Sequence, residues 1–396
     1  MFKRVALGIS GGVDSAVAAL LLKRAGYQVE GVFMRNWDNN YEAGFCSDER
    51  DFEDATYVCR KLDIPLHRVY FIKEYWNEVF TVLLKEYETG LTPNPDILCN
   101  RYIKFDSFFQ HCRNNLGFDV IATGHYANTS FGPFLEKYNS NEGVRLLQPT
   151  DKHKDQTFFL SQVKQFSLRR CMFPIAGLLK KEVRDIAKSE GLLNVATKKD
   201  STGICFIGKN KFQKFIEEYI ETKKGKFIDI DSGQVVGEHG GLHKWTVGQR
   251  CGVPSHKEAY FIFKKDLDTN DIYVVSGTKH PALWNNICFT GSPHWIHSEP
   301  TELVNNNFGK ENVRATCKGE LQCATAESEC ATAGSNTSES ATSTDVQMST
   351  TARVAALRLH ASSSLAPYER TSSNQTTSHG AFTFTLVSTT LLCSTK

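Results

Sequence analysis

Short apolar runs alternate with amphipathic stretches over the first 125 residues. The apolar runs have the length and content of buried strands, and they cover residues 5–9, 27–34, 66–71 and 119–123. The stretches between them repeat apolar positions at the spacing of helices that face a core, and they cover residues 16–24, 51–62 and 74–87. A strand, helix, strand order with crossovers of this length predicts an α/β fold with a parallel sheet covered by helices.

Two glycines separate the first predicted strand from the first predicted helix, in Ser10-Gly11-Gly12-Val13-Asp14-Ser15. Glycines let the backbone approach an oxyanion closely, and the N–H groups of a first helical turn have no partner within the helix. The loop therefore predicts a phosphate site, although it lacks the lysine of a Walker A loop and the glycine spacing of a dinucleotide-binding loop. The alternative is an ordinary turn in which Asp14 caps the helix.

Three further positions follow predicted strands: Met34, Gly124 and His125. In open α/β sheets, ligands bind at the carboxyl ends of the strands. We expect these residues to meet the 10–15 loop at one site.

Two cysteines lie in segments of unusual composition. The first, Cys99, follows Thr92-Pro93-Asn94-Pro95-Asp96, where two prolines predict a stiff, non-helical backbone that holds Asn94 and Asp96. The second, Cys205, lies between glycines in a strand-like run. Taken singly, each is as readily an inert buried thiol, because unpaired cysteine is among the most buried residue types.

The charge of the chain is unevenly distributed. The net charge is +2, but residues 1–150 contain 16 Lys and Arg against 19 Asp and Glu, whereas residues 151–226 contain 17 against 9. This asymmetry predicts a polyanionic partner for the basic middle, the alternative being a solvated lysine-rich face. None of the 12 cysteines forms a Cys-x-x-Cys pair, so no metal site is expected. No secretory signal peptide is recognisable before the first predicted strand, so we expect reduced thiols. No apolar run has the length of a membrane span, so no membrane partner is expected.

The pattern changes after residue 226. Short β-like runs with Gly-rich turns predict a small β-rich domain, covering residues 226–230, 260–263 and 272–275. From residue 316 onward, Ser and Thr make up 30 of 81 residues. Such a segment buries too little apolar surface to offset its conformational entropy, which predicts disorder except for strand-like content at 381–392.

Taken together, the motifs resemble those of the tRNA-uridine 2-thiouridylases, which belong to the ATP pyrophosphatases with an SGGxDS loop. The resemblance covers residues 3 to about 300, leans toward the mitochondrial eukaryotic type, and rests on GISGGVDS, NWD (36–38), TPNPDILCN, ATGHYA (122–127), KDQTFFLSQV (154–163), GICFIG and HPALW (280–284). It implies a catalytic domain over residues 1–206, a central domain over 207–282 and a C-terminal β-barrel. Here the barrel is reduced to a remnant over 283–315 and followed by the 316–396 tail.

The resemblance also implies roles for individual residues. The implied catalytic residues are the thiol Cys99, the persulfide carrier Cys205 and the acid or base Asp96; for Asp96, a helix-capping role is the alternative. The implied ATP-binding residues are Gly8, Ile9, Ser10, Gly11, Gly12, Val13, Asp14, Ser15, Met34 and Gly124. The implied tRNA-binding residues are Asn94, Pro95, Asp96, His125, Lys154, Asp155 and Gln156.

The implied reaction is ATP-dependent 2-thiolation of the wobble uridine of tRNA. Oxygen on C2 is a poor leaving group and must first be adenylated, and sulfur then arrives from a persulfide. ATP and Mg²⁺ are the implied cofactors, and tRNA and an upstream persulfide donor protein are the implied partners of a monomeric, mitochondrial enzyme. A cytoplasmic location is the alternative, because no presequence is recognisable. Two other functions stay open: an ATP pyrophosphatase that acts as a ligase, and a tRNA-binding isoform without activity.

Overall fold

The computed structural model describes residues 2–37, 47–200, 212–254, 258–284, 287–290 and 294–298, together with four two-residue strands further along the chain. The chain divides into two compact units. The first comprises Met1–Lys85, Asn94–Ile220 and His294–Phe308, and the second Glu86–Pro93, Glu221–Pro293 and Gly309–Lys396.

A parallel five-stranded sheet with strand order β3-β2-β1-β4-β7 forms the centre of the first unit. The strands of this unit are β1 (Arg4–Gly8), β2 (Gln28–Arg35), β3 (Leu66–Tyr70), β4 (Ile121–Thr123), β5 (Asn128–Thr129), β6 (Leu146–Leu147) and β7 (Cys171–Met172). Strands β5 and β6 form a separate antiparallel pair. The predicted α/β class is confirmed, and so is each of the four strands predicted before residue 124.

Ten α-helices accompany this sheet within the described residues. They are α1 (Val13–Arg24), α2 (Ser47–Lys61), α3 (Ile72–Tyr75), α4 (Thr81–Glu88), α5 (Pro95–Leu98), α6 (Phe108–Asn114), α7 (Gln165–Leu168), α8 (Lys180–Ser189), α9 (Leu193–Ala196) and α10 (Phe212–Ile216). Helix α1 is rich in alanine and leucine and is buried along most of its length. Its charges complement the helix dipole, with Asp14 in the first turn and Lys23 and Arg24 in the last.

The helix predicted over 74–87 is not continuous. A π-helical turn, Trp76–Phe80, separates α3 from α4. Such a turn holds one residue more than an α-helical turn. Trp76 and Phe80 both pack against Trp37, with ring centroids 5.5 and 4.9 Å apart. The spacing of apolar residues in the sequence does not distinguish this π-helical turn from an α-helical one.

The second unit contains a four-stranded sheet with order β10-β11-β8-β9. Its strands are β8 (Gly225–Asp229), β9 (Val235–His239), β10 (Tyr260–Lys265) and β11 (Ile272–Ser276). One apolar cluster lies at its core, formed by Phe227, Leu242, Cys251, Ile262, Ile272 and Val274. The predicted β-rich character of this region is confirmed.

Short strands make up what is described of the remaining chain. They are β12 (Ile287–Thr290), β13 (Arg314–Ala315), β14 (Leu357–Arg358), β15 (Thr383–Phe384) and β16 (Leu391–Leu392). The last two fall in the stretch predicted to have strand-like content, whereas β14 falls in the part of 316–396 predicted to be disordered. The other residues of 316–396 lie outside those described. Over the part of the chain that the structure covers, no helix combines the length and apolarity needed to cross a membrane.

Candidate functional site

The 10–15 loop connects the carboxyl end of β1 to the first turn of α1. Its shape is fixed by hydrogen bonds of Ser15, whose Oγ accepts from the Ser10 N–H at 3.2 Å and donates to the Gly12 carbonyl oxygen at 3.1 Å. Gly11 adopts a φ of +68°, and a Cβ atom there would lie 2.2 Å from the backbone oxygen of Asp51. Only glycine fits this position, because helix α2 passes directly over the loop.

Gly124 lies against the same loop from the neighbouring strand. A Cβ atom on Gly124 would lie 2.6 Å from the backbone nitrogen of Ser15. Gly8 pairs in register with Thr123 of β4 and Val32 of β2, and a Cβ atom on Gly8 would lie 3.4 Å from Cε of Met34. The structure therefore gathers the loop, Met34 and Gly124 at one edge of the sheet, as the sequence predicts.

The carboxylate of Asp14 has two partners at this edge. The Tyr126 hydroxyl donates to it at 3.1 Å, and the Lys180 ammonium lies 2.8 Å from both of its oxygens. Burial raises the pKa of Tyr126, and the adjacent Asp14 raises it further. The Tyr126 hydroxyl is therefore a donor to Asp14 at neutral pH. Tyr126 and Lys180 are absent from the predicted site, although Tyr126 lies within the ATGHYA motif.

A second carboxylate, Asp200, extends this network. It contacts Lys180 at 3.0 Å, Lys154 at 2.7 Å and Arg184 at 2.5 Å. Burial alone would raise the pKa of Asp200, but hydrogen bonds from Lys154 and Lys180 hold it well below its ordinary value. Asp200 is therefore ionised throughout the neutral range.

A third ionic contact joins the loop to helix α2. The Lys198 ammonium lies 2.6 Å from Asp51 and 2.7 Å from Asp54, and it also donates to the Gly11 carbonyl oxygen at 3.2 Å. Four cations of the basic 151–226 stretch are thus engaged with carboxylates beside the loop: Lys154, Lys180, Arg184 and Lys198.

The segment before Cys99 is helical over Pro95–Leu98, so the prediction of a non-helical backbone is wrong there, whereas it is confirmed for residues 92–94. Asn94 caps helix α5 by accepting a hydrogen bond from the Asp96 N–H at 3.1 Å, and Pro95 occupies the first helical position. Proline is favoured there because that N–H has no intrahelical partner in any case. Asn94, not Asp96, is the cap, and Asp96 lies in the first turn.

Cys99 begins a nine-residue π-helical stretch, Cys99–Ser107, and its side chain is buried, with 2 % exposed. The neighbouring Asn100 is equally buried and donates from Nδ2 to the Phe159 carbonyl oxygen at 3.0 Å. Arg101 donates to Gln162 at 3.0 Å. Two side-chain bonds therefore join the helix that carries Cys99 to the segment that follows residues 154–156.

Residues 154–156 have partners within the protein. Besides the Lys154–Asp200 pair, Asp155 accepts hydrogen bonds from the N–H and hydroxyl of Thr157 at 2.9 and 2.6 Å. Gln156 forms a reciprocal pair with Tyr126: its backbone N–H donates to the Tyr126 carbonyl, and its Oε1 accepts from the Tyr126 N–H, both at 2.9 Å. These bonds position the segment beside the end of β4.

His125 follows Gly124 at the end of β4. Its Nδ1 is 2.9 Å from the Thr123 hydroxyl, and its ring centroid is 5.6 Å from that of Phe105, which lies in the Cys99–Ser107 stretch. Burial lowers the pKa of His125 well below 6.5, and the positive charge of Lys104 lowers it further. The imidazole is therefore neutral at physiological pH.

Asp38 and Cys205 lie outside the described residues. Within those described, no group of three or more His, Cys, Asp or Glu side chains has an arrangement that fits a metal ion.

Two family profiles match the chain. Residues 3–209 match the profile described as tRNA methyl transferase HUP domain, and residues 213–276 match the tRNA methyl transferase PRC-barrel domain. The chain is also similar to the mitochondrial tRNA-specific 2-thiouridylase 1 of Drosophila melanogaster, with 51 % identity over 306 residues that cover 77 % of this chain and 79 % of the relative. The chain belongs to the tRNA-specific 2-thiouridylase family.

Other members of the 2-thiouridylase family are similar over comparable lengths. The human protein named mitochondrial tRNA-specific 2-thiouridylase 1 is 48 % identical over 75 % of this chain and 74 % of its own length. The bacterial tRNA-specific 2-thiouridylase MnmA of Alkaliphilus oremlandii is 46 % identical over 80 % of this chain and 85 % of its own. The family resemblance inferred from the motifs is confirmed.

Proposed function

We propose that this protein is an ATP-dependent sulfurtransferase that replaces the C2 oxygen of the wobble uridine of tRNA with sulfur. The packing of Gly124 against the first turn of α1 is the observation that carries the ATP half of this proposal. It holds the first turn of α1 at the carboxyl edge of the sheet, where a polyphosphate would be stabilised by the N–H groups that have no partner within the helix and by the helix dipole. Family membership supports tRNA as the substrate.

The first step is adenylation of the uridine. The C2 oxygen attacks the α-phosphorus of ATP, the bond from that phosphorus to the bridging oxygen breaks, and pyrophosphate leaves with the electron pair. Our assignments for ATP are the loop residues from Gly8 to Ser15, with Met34 and Gly124. Asp96 is our candidate acid or base, because it precedes Cys99 by three positions on a helix and so lies on the same face.

The second step transfers sulfur. The terminal sulfur of a persulfide on Cys205 attacks C2, and the Cys99 thiolate then attacks the Cys205 sulfur. A Cys99–Cys205 disulfide forms, AMP leaves from C2, and the sulfur stays on the base. The two thiols supply the two electrons that reduce the persulfide sulfur, and a dithiol reductant resets the enzyme.

Mg²⁺ is the proposed companion of ATP. Because no three-ligand cluster is found over the described residues, the phosphates and water would supply most of the ligands, as Mg²⁺ prefers, and Asp14 is the carboxylate that the loop offers. When bound, the ion would neutralise charge on the phosphates.

The tRNA-facing groups in this proposal are Asn94, Pro95, Asp96, His125, Lys154, Asp155 and Gln156. A neutral His125 suits a place beside an uncharged base better than one beside a phosphate. We propose further that the protein acts as a monomer in mitochondria and receives sulfur from a persulfide carrier protein.

The test uses purified full-length protein with ATP, Mg²⁺, glutathione persulfide and an unmodified tRNA that carries U34; the Cys205 thiolate takes the outer sulfur of glutathione persulfide and glutathione leaves as the thiolate. Nucleoside mass analysis should find one oxygen replaced by one sulfur, and pyrophosphate should be released. Cys99→Ser and Cys205→Ser should abolish thiolation, yet each should still release pyrophosphate in a first turnover because adenylation needs neither thiol.

Cys112→Ala is the matched control. Burial raises the pKa of the Cys112 thiol to about 12, so this thiol is inert and its removal should leave thiolation intact. If both serine variants kept full turnover, the protein would be a ligase of the ATP pyrophosphatase type. If tRNA bound without release of pyrophosphate, it would be a binding isoform.

A further inference from the structure

The side chain of Lys180 is held at the 10–15 loop from several directions. Its ammonium contacts both oxygens of Asp14 and one oxygen of Asp200, and it lies 5.7 Å from the centroid of the Tyr126 ring. Only 13 % of the side chain is exposed. A lysine this enclosed has lost most of its conformational freedom before any ligand arrives.

The backbone of Lys180 is fixed as well. Lys180 is the first residue of α8, and its N–H donates to Asp151 Oδ2 at 2.9 Å. Asp151 also accepts from the N–H groups of His153 and Lys154. The ammonium therefore occupies a defined place beside the first turn of α1.

The contacts of this lysine differ from those of an ordinary structural ion pair. The Lys180 ammonium contacts two carboxylates, Asp14 and Asp200, and Asp200 is also contacted by Lys154 and Arg184. A third carboxylate, Asp151, is held by backbone N–H groups. Because Asp200 has two other cationic partners, the Lys180 ammonium beside the first turn of α1 can exchange a carboxylate for a phosphate without leaving Asp200 unpaired.

We propose that Lys180 is a catalytic residue of the adenylation step, which contacts the β-phosphate of ATP and stabilises the pyrophosphate as it leaves. This inference rests on the function proposed above. As the bond between the α-phosphorus and the bridging oxygen breaks, negative charge builds on the departing oxygen, where a preorganised ammonium lowers the barrier. Asp200 keeps Lys180 at the loop when the ammonium exchanges Asp14 for phosphate.

A purely structural Lys180 would simply join α1 to α8. The two roles differ in what they predict for ATP and for AMP, because only ATP carries the β-phosphate. They differ also for arginine, which retains the charge but presents it in a different geometry.

The kinetic test compares Lys180→Gln and Lys180→Arg with wild type, and uses Lys137→Gln as a control on an exposed lysine away from the loop. Single-turnover release of pyrophosphate in the presence of tRNA should slow at least 100-fold in Lys180→Gln and less in Lys180→Arg. AMP affinity should change by less than threefold in both. Pyrophosphate release by Lys180→Gln within threefold of the wild-type rate would overturn the proposal.

A second test needs no variant. Lysine acylation of the wild-type protein, read by peptide mass analysis, should show that α,β-methylene-ATP protects Lys180 whereas AMP does not, with Lys137 unchanged. Equal labelling of Lys180 when calorimetry shows the analogue bound would overturn the proposal. A wild-type protein that binds the analogue and protects Lys180 but does not thiolate tRNA would contradict the proposed function and leave the role of Lys180 supported.

Discussion

Lys198 donates a hydrogen bond to the carbonyl oxygen of Gly11 while its ammonium is held by Asp51 and Asp54. Burial alone would lower the pKa of Lys198, but the two carboxylates raise it above its ordinary value, so the group stays charged. The carbonyl group of Gly11 is thereby held in place. Lys198 therefore helps Ser15 to fix the shape of the loop to which we assign the phosphates of ATP.

Lys198→Met should weaken binding of ATP without unfolding the protein. We expect the Kd for α,β-methylene-ATP to rise about tenfold, which corresponds to about 1.4 kcal/mol, because the loop loses the bond that fixes Gly11. Calorimetry checks this, and the exposed neighbour Lys199 provides the control Lys199→Met, which should bind normally. Unchanged affinity in Lys198→Met would mean that Ser15 alone shapes the loop.

Gly124→Ala should abolish measurable ATP binding. The added methyl carbon would lie 2.6 Å from the Ser15 nitrogen, 2.8 Å from the Asp14 carbonyl carbon and 2.9 Å from the Ser15 Cα, and these backbone atoms cannot move aside as a flexible side chain can. The chain offers a matched control in Gly177→Ala, since nothing lies within 4 Å of a Cβ atom there and the backbone φ is ordinary. Calorimetry on both proteins should separate them by at least tenfold in Kd; similar values would show that the strand end does not contact the loop as described.

Acid should destabilise the protein partly through His125. The folded state binds a proton at His125 more weakly than the unfolded chain does, so the unfolded state takes up more protons as the pH falls through 6.5. The free energy of unfolding should therefore fall below pH 6.5, and this contribution should vanish well above it. Urea unfolding at pH 8 and pH 5 should show a smaller pH dependence in His125→Asn. The same change at the exposed His153 should leave the wild-type dependence intact.

A rise in pH from 4.5 to 7 should destabilise the protein through a second group, Glu86. Burial raises the pKa of Glu86 to about 7, and its Oε2 is buried without a hydrogen-bond partner. Between pH 4.5 and 7 the folded state keeps a proton that the unfolded state releases, so stability falls as the pH rises. Glu86→Gln should raise the thermal midpoint at pH 8 and not at pH 4. The exposed neighbour gives the control Glu88→Gln; an equal gain in both variants would point to net charge instead.

The sequence predicts the 10–15 loop and the positions of Met34 and Gly124 because each follows a strand with an unmistakable apolar run. It does not place Lys180 or Lys198 at the loop, because these lysines lie 166 and 187 positions along the chain from their partners Asp14 and Gly11. Charge counting does detect the basic stretch that holds both lysines. Charge counting assigns the whole stretch to a polyanionic partner, because composition does not show which of its cations pair with carboxylates of the protein itself.

The helix that carries Cys99 illustrates a different limit. Two prolines suggest a rigid, extended segment, yet one of them is Pro95, at the single helical position where proline is favoured. The distinction depends on Asn94, whose side chain caps the helix. Reading asparagine and proline together as a helix start gives the observed structure.

Tyr126 bonds two parts of the site at once, with its backbone paired to Gln156 and its hydroxyl donating to Asp14. A ligand that shifts the hydroxyl of Tyr126 therefore also affects the backbone bonds between Tyr126 and Gln156, and the reverse holds as well. If ATP binds at the loop and RNA binds at residues 154–156, as we propose, Tyr126 is one residue through which the two binding events are linked, and such a linkage is reciprocal. Whatever factor ATP contributes to the affinity for RNA, RNA must return to the affinity for ATP, so the order in which the two arrive leaves the stability of the ternary complex unchanged.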